Sequence, residues 1–313
     1  MSTVVRSMYW CRQLTALIVI FFLLFASAVQ QALAAEEKLL VFGRVQDNPV
    51  RAIRDRQEFV DYVAKKLAPL GITGGKVLVV EKIGQLARAV REDQVDFFHD
   101  SVAVTVVVSK WSGSVPILRQ WKYNEAEYYS VIMVKKDSGI DALSGLKGKV
   151  LAFDEPHSTS AHILPRMLLA ENRLKLVRVV EHGRVEPDVI GYIHSSDDNA
   201  PNLLVTGKVD AAATSHREFQ SLRPEIRDTV KIIASSMSVP RQIISIRKNL
   251  DPRIVTALKE LLTNMDKNPE GHAVLNRQQG TTNIDAIPSG SIERMKDIER
   301  FIFSSLGKQV DSW

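Results

Sequence analysis

The sequence predicts an α/β protein of the two-lobed kind, each lobe a mostly parallel sheet flanked by helices, with a ligand cleft between the lobes. Three observations predict it. Short apolar runs of strand type alternate with segments whose apolar residues recur at helical spacing, the pattern of parallel sheets covered by helices. The alternation runs twice, breaking in the polar stretch 135–139 and restarting at 150. Two further strand-type runs, 128–134 and 231–246, flank the second unit and can carry the chain out of the first lobe and back. The second lobe is then an insert: residues 35–134 and 240–313 form lobe 1, and residues 135–239 form lobe 2.

A leader precedes the fold. Arg6 and Arg12 make a basic start, residues 14–25 are almost wholly apolar, and Ala32-Leu33-Ala34 has the small-x-small form of a cleavage site. That is a secretory signal peptide, residues 1–34, which places the mature chain in the periplasm. Its apolar core is shorter than the about 20 residues a membrane span needs. The single cysteine, Cys11, lies in the leader, so the exported chain has neither a disulfide framework nor a cysteine nucleophile and is held by its core alone. Past residue 34 there are 39 basic against 36 acidic residues and no basic stripe interleaved with aromatics, so a nucleic-acid partner is not expected. A monomer is expected, and because the sequence ends at Trp313 with no membrane segment, any membrane partner is a separate chain.

Taken in order, residues 38–42 read as a strand and 43–49 as a polar loop. A helix at 51–70 follows, with Phe59, Val60, Val63 and Leu67 on one face, and Gly71 to Gly75 breaks it. A strand at 77–80, a helix carrying Leu86, Ala89 and Val90, and a third strand at 95–99 complete the first alternation. Strands at 115–118 and 128–134 precede a short, turn-rich helix at 140–149. The second unit reads as a strand at 150–153, a helix from 163, strands at 176–180 and 209–213, and a helix near 202–206 between them. Strands at 231–234 and 243–246 bracket a Ser/Pro stretch, and the tail is helical over 252–265, 269–276 and 291–306.

The stretch that carries chemistry is Asp154-Glu155-Pro156-His157-Ser158-Thr159-Ser160-Ala161-His162, at the junction of the strand at 150 and the helix after it. A helix start presents unpaired N–H groups and the positive end of the dipole. Hydroxyls there can cap the helix or turn toward a bound anion. His157 and His162 flank the triple; either could meet an anion, although a solvated loop histidine is the commoner outcome. Arg44 can face the cleft or form a surface ion pair. Asp210 reads as a turn-fixing residue and Asp197-Asp198 as a solvated pair. His99-Asp100 has no second cluster at ligand spacing, so no metal and no cofactor are expected. No Gly-x-Ser-x-Gly elbow and no placeable nucleophile–base pair occur, so the chain does not read as an enzyme.

Across most of its length the chain resembles the phosphonate/phosphate-type periplasmic substrate-binding proteins of ABC importers. The resemblance rests on Leu146-Lys147-Gly148-Lys149-Val150 leading into the Asp-x-Pro-x-Ser-Thr-Ser run, on Val205 to Ala212, and on Ser236-Met237-Ser238-Val239-Pro240. It implies a type II binding-protein fold and a small tetrahedral oxyanion held by Ser158, Thr159 and Ser160 with adjacent N–H groups, helped by a histidine for which His194 is the nearest match. It implies as partner an ABC permease, with a sensor passing its ligand state to a receptor such as a histidine kinase as the alternative. His157 and Ala161, which stands where the family usually has Gly, complete the candidate set; Arg241, Gln242 and Arg44 are further possibilities. The family's aromatic cleft positions fall on Lys82 to Gln85 and Asp100 to Val104, with no aromatic, and Pro240-Arg241-Gln242 lacks the acid that pairs a ligand amine. A small oxyanion is therefore expected in preference to 2-aminoethylphosphonate, with Arg241 adding positive charge if it turns inward.

Overall fold

The computed structural model describes residues 37–179, 185–196, 199–278 and 280–313. The leader at 1–34 and the Asp197-Asp198 pair lie outside the described residues. The chain opens with β1 (Leu39–Val45), α1 (Pro49–Lys66), β2 (Gly74–Val80), α2 (Ile83–Arg91), β3 (Phe97–Asp100), α3 (Val102–Ser112) and β4 (Val115–Lys122). α1 starts where its sequence directs. The Asn48 side chain accepts the Arg51 amide, Pro49 stands in the first turn where its missing N–H costs nothing, and Lys65 and Lys66 face the negative end of the dipole. Its apolar face packs with Leu40, Phe42 and Phe97 beneath the sheet.

The short β5 (Glu127–Tyr128) leads to β6 (Ser130–Lys135), β7 (Val150–Phe153), α4 (Leu164–Glu171), β8 (Leu176–Arg178), β9 (Ile190–His194), α5 (Ala200–Val205) and β10 (Ala211–Ser215). Two short helices, His216–Ser221 and Pro224–Arg227, precede β11 (Val230–Ser235) and β12 (Val239–Pro240). The chain then completes the first sheet with β13 (Gln242–Ile246), α6 (Pro252–Thr263), α7 (Pro269–Asn276) and β14 (Thr281–Asp285), and runs on through α8 (Ser289–Phe301).

Two six-stranded sheets result, ordered β14-β4-β13-β3-β1-β2 and β11-β6-β10-β7-β9-β8. In the first, β1 lies parallel to β2 and β3, while β13 runs antiparallel to β3 and β4. In the second, β7 lies parallel to β9 and β10, and β6 runs antiparallel to β10 and β11. Mostly parallel sheets with helices on their faces, joined by a double crossover, are the expected fold class.

Three local differences from the sequence reading have physical causes. The expected strand at 128–134 is split: β6 belongs to the second sheet, where Ile132 and Val134 pack with Leu151 and Phe153. The chain passes between sheets at β5 and β12, which pair antiparallel with Tyr128 opposite Val239. β6 thus lies on the second sheet's side of the β5–β12 pairing. Residues 140–149 form a single 3-10 turn, Leu143–Leu146, not a short helix. α3 and β14 were not expected at all. Residues 102–108 are buried on every side, so no solvent face gives them a helical period. They pack against α8 and against Ile163, Leu164 and Met167, so one apolar cluster spans both lobes.

Candidate functional site

On the second-lobe side the site is built on the loop between β7 and the helix that ends as α4. Asp154, which begins the loop, is buried, and its Oδ1 accepts the Ala200 amide at 3.2 Å and the Ser195 hydroxyl. It ties the loop after β7 to the loop after β9, and burial pushes its carboxyl pKa up. The helix opens with a π turn, Thr159–Ile163, before the α-helical geometry of α4 begins. Two of the three hydroxyls accept backbone amides, one local and one distant. Ser158 Oγ accepts the Ala161 amide at 3.2 Å and caps the helix. Thr159 Oγ1 accepts the Ala103 amide at 2.9 Å, and that amide belongs to the first turn of α3 in the other lobe. Tyr128, arriving buried from the crossover, has its phenol pushed up to about 12 by burial, with Thr159 and Ser160 near enough to oppose that shift. Two helix starts from opposite lobes therefore meet at the triple, with their N–H groups and positive dipole ends directed there.

The first-lobe side is the end of the first sheet where β1, β3 and β4 finish and β13 begins. Asp100 accepts the Ser101 amide at 2.7 Å and ion-pairs Arg44 at 3.5 Å. His99 is buried with its Nδ1 2.8 Å from Gln242 Oε1, and burial, followed by the charges of Arg56, Arg44 and Lys122, holds its pKa well below the usual imidazole range. The Arg241 guanidinium lies 4.7 Å over the ring of Tyr128. Lys122 is brought down to about 8 by burial and then by Arg56, Arg241 and Arg44. Arg56, reaching under the sheet from α1, is lowered to about 10 by burial and by Arg44, and donates to Gln278 Oε1 at 2.7 Å. This face is a concentration of cations.

The fold thus brings Ser158, Thr159, Ser160 and Ala161 toward the end of the first sheet that carries Arg44, Arg241 and Gln242. His194 stands elsewhere. It ends β9 in register with Phe153, its ring is 4.9 Å from that of His162, and it lines a pocket with Pro156, Arg178, Tyr192 and Trp313. Among the described residues it makes no hydrogen bond to the triple, and its Nε2 is buried without a partner. His157 faces the same side, its ring 6.5 Å from that of Trp313. Neighbours of these groups that sequence reasoning did not name are the Ala103 amide on Thr159, and Tyr128, Lys122 and Arg56 around Arg241 and Arg44. Ser101 directly before an apolar run was the available signal for the helix start; nothing local marked Tyr128 or Lys122.

Residues 45–288 match the family model described as ABC transporter, phosphonate, periplasmic substrate-binding protein. The chain belongs to this family. It is 25% identical over 279 residues to the phosphonates-binding periplasmic protein of Escherichia coli strain K12, covering 84% of this chain and 78% of that one. Among solved structures it is similar to XAC2383 from Xanthomonas citri bound to ATP, with TM-score 0.79 and 21% identity over 88% of this chain and 98% of that one. It is also similar to PhnD1 from Prochlorococcus marinus in complex with methylphosphonate, with TM-score 0.60 and 18% identity over 85% of this chain and 99% of that one. These likenesses establish the fold as that of type II periplasmic binding proteins. As a member of the family the protein is a non-enzymatic periplasmic component of an ABC importer, which takes a small ligand to a membrane permease.

Proposed function

We propose that this binding protein captures a small molecule with a tetrahedral oxyanion head, of the phosphonate, phosphite or phosphate class, at Ser158, Thr159 and Ser160, and delivers it to its permease. The observation that carries this is the meeting of two helix starts from opposite lobes at one trio of hydroxyls, of which Thr159 and Ser160 are buried. Hydroxyls and oriented amides are the donors a tetrahedral oxyanion accepts from, and two converging dipole ends favour negative charge between them. A member's place in an importer and the relative named for phosphonates support the same reading. The leader at 1–34 supports delivery to the periplasm by cleavage after Ala34, which mass spectrometry of the protein from the periplasmic fraction would read directly.

The test is calorimetry with methylphosphonate. Thr159→Val keeps the shape of the side chain and removes its hydroxyl. Losing a hydrogen bond to a charged group costs about 1.5–3 kcal/mol, so affinity is expected to fall tenfold to more than a hundredfold. Unchanged affinity in that variant would remove the triple from the site. Uptake of labelled methylphosphonate that is lost when the protein is deleted supports delivery to a permease; intact uptake with a lost transcriptional response would assign a sensor instead.

A further inference from the structure

We propose that the ligand of this protein carries a second anionic group, set against Arg44, Lys122 and Arg241 at the end of the first sheet while the oxyanion head occupies the hydroxyl triple. The inference rests on the oxyanion reading above and adds to it the chemical class of the rest of the molecule: a phosphonate or phosphoryl head bearing a carboxylate or a second phosphoryl group.

The argument is a charge balance. By strand register Arg44 in β1, Lys122 at the end of β4 and Arg241 just before β13 stand at the same end of the first sheet, with Arg56 buried beneath it, and the other three all lower the pKa of Lys122. Asp100 is the carboxylate at that face and it is engaged by Arg44. Asp55 acts on Arg56 from α1 itself. The next acids along the sheet are committed elsewhere: Glu127 to Arg119 and Arg294, and Asp285 to Arg119. Among the described residues no carboxylate lies within ion-pair distance of Lys122 or Arg241.

The guanidinium groups also have donors to spare. Arg241 Nη1 and Arg44 Nε are buried and without a hydrogen-bond partner. Burying like charges with unmet donors is costly unless a counter-charge completes them. The triple can take one oxyanion head, so a monoanionic or neutral-tailed ligand leaves these groups as they are. A second anionic group satisfies them, and guanidinium is the side chain best matched to carboxylate and phosphoryl oxygens. A cationic tail would meet the same cluster with repulsion.

Calorimetry on the exported chain with methylphosphonate, phosphonoacetate, pyrophosphate and 2-aminoethylphosphonate tests this. Phosphonoacetate or pyrophosphate is expected to bind at least about tenfold tighter than methylphosphonate, the worth of one added charge-assisted hydrogen bond, and 2-aminoethylphosphonate weakest. In Arg241→Gln the ratio of the two affinities is expected to shrink to within about twofold, since that bond is lost. Lys122→Met is a second variant that removes the charge while keeping the length of the chain, should the first fail to fold. If methylphosphonate binds and neither doubly anionic probe exceeds it, the inference is overturned and the oxyanion reading stands. If 2-aminoethylphosphonate binds tightest, the cationic face does not meet the tail, and the inference is again overturned. If none of the four binds, the oxyanion reading falls and takes this inference with it.

Discussion

Thr159 is a hydroxyl that joins packing to the proposed recognition at one position. Its oxygen completes an amide of the opposite lobe, so its removal acts on the approach of the lobes as well as on a ligand. Lys122 offers a second measurable property. Its ammonium is held down to about 8 by burial and by Arg56, Arg241 and Arg44, with Asp100 alone opposing them. The charged form therefore prevails at pH 7 and is lost as pH rises through about 8. Affinity for a doubly anionic probe such as pyrophosphate is expected to be weaker at pH 9 than at pH 7, with Lys122→Arg removing the step because a guanidinium stays protonated. Calorimetry at the two pH values reads this directly; equal affinities in the parent chain would place Lys122 outside the site. The buried His162 and the half-buried His194 act at the opposite end of the scale. Burial holds His162 down to about 3 and His194 down to about 4, against 6.5 for a free imidazole. The unfolded chain takes up these protons first, so stability is full above 6.5 and declines as pH falls through and below it. Melting temperatures between pH 7 and 5 should show the decline, and His194→Gln should flatten part of it. At this scale the strand-to-helix junction that carries the hydroxyl triple was legible, because it is a local pattern. The Ala103 amide was not, because what brings it to Thr159 is the packing of segments 56 residues apart in the chain.

Among the elements, α3 is the instructive case. Val102-Ala103-Val104-Thr105-Val106-Val107-Val108 is dominated by β-branched residues, which favour strands by intrinsic preference. Tertiary burial overrides that preference here, since every one of these side chains is inaccessible and the helix is covered by both lobes. Periodicity could not reveal it, because a helix apolar on all sides has no polar stripe to count from. β14 was hidden for the opposite reason. It is an edge strand of five residues, Thr281–Asp285, whose inward positions include the buried Thr281 and Ile284 among polar neighbours. By contrast α1 was legible in type and face, because half of it meets water. The consequence for α3 is a sensitive core. Val107→Ala removes two methyl groups at a fully buried position, which at about 0.8 kcal/mol per buried carbon plus a cavity cost should lower stability by about 2–3 kcal/mol. Denaturant melts would show a displaced midpoint with an unchanged slope; a loss under about 0.5 kcal/mol, the range of surface substitutions, would mean the helix core is looser than its burial implies.

At the scale of the whole molecule the double crossover decides what can move. The two passing segments are clamped on the second-lobe side by a reciprocal pair: the Ser130 amide donates to Ser236 Oγ at 2.9 Å, and the Ser236 amide donates to the Ser130 carbonyl at 3.0 Å. Toward the first sheet they are clamped again by the β5–β12 pairing and by the Arg241 amide on the Ala126 carbonyl at 2.9 Å. Between the clamps lie Tyr129 on one passage and Met237 and Ser238 on the other, which makes these residues the place expected for a hinge. A hinge of a few such residues lets two packed lobes close as rigid bodies on a ligand. The contact that closure would secure is the one between Thr159 and Ala103, flanked by Tyr128 and the cationic face. Small-angle scattering of the exported chain is therefore expected to give a smaller radius of gyration with saturating methylphosphonate or pyrophosphate than without. Thr159→Val, lacking the acceptor that joins the lobes, should show a smaller contraction even at ligand concentrations that restore full occupancy. An unchanged radius in the parent chain, with binding proven by calorimetry on the same sample, would mean that the lobes are already held together by the apolar cluster they share, and that the ligand enters without a hinge motion.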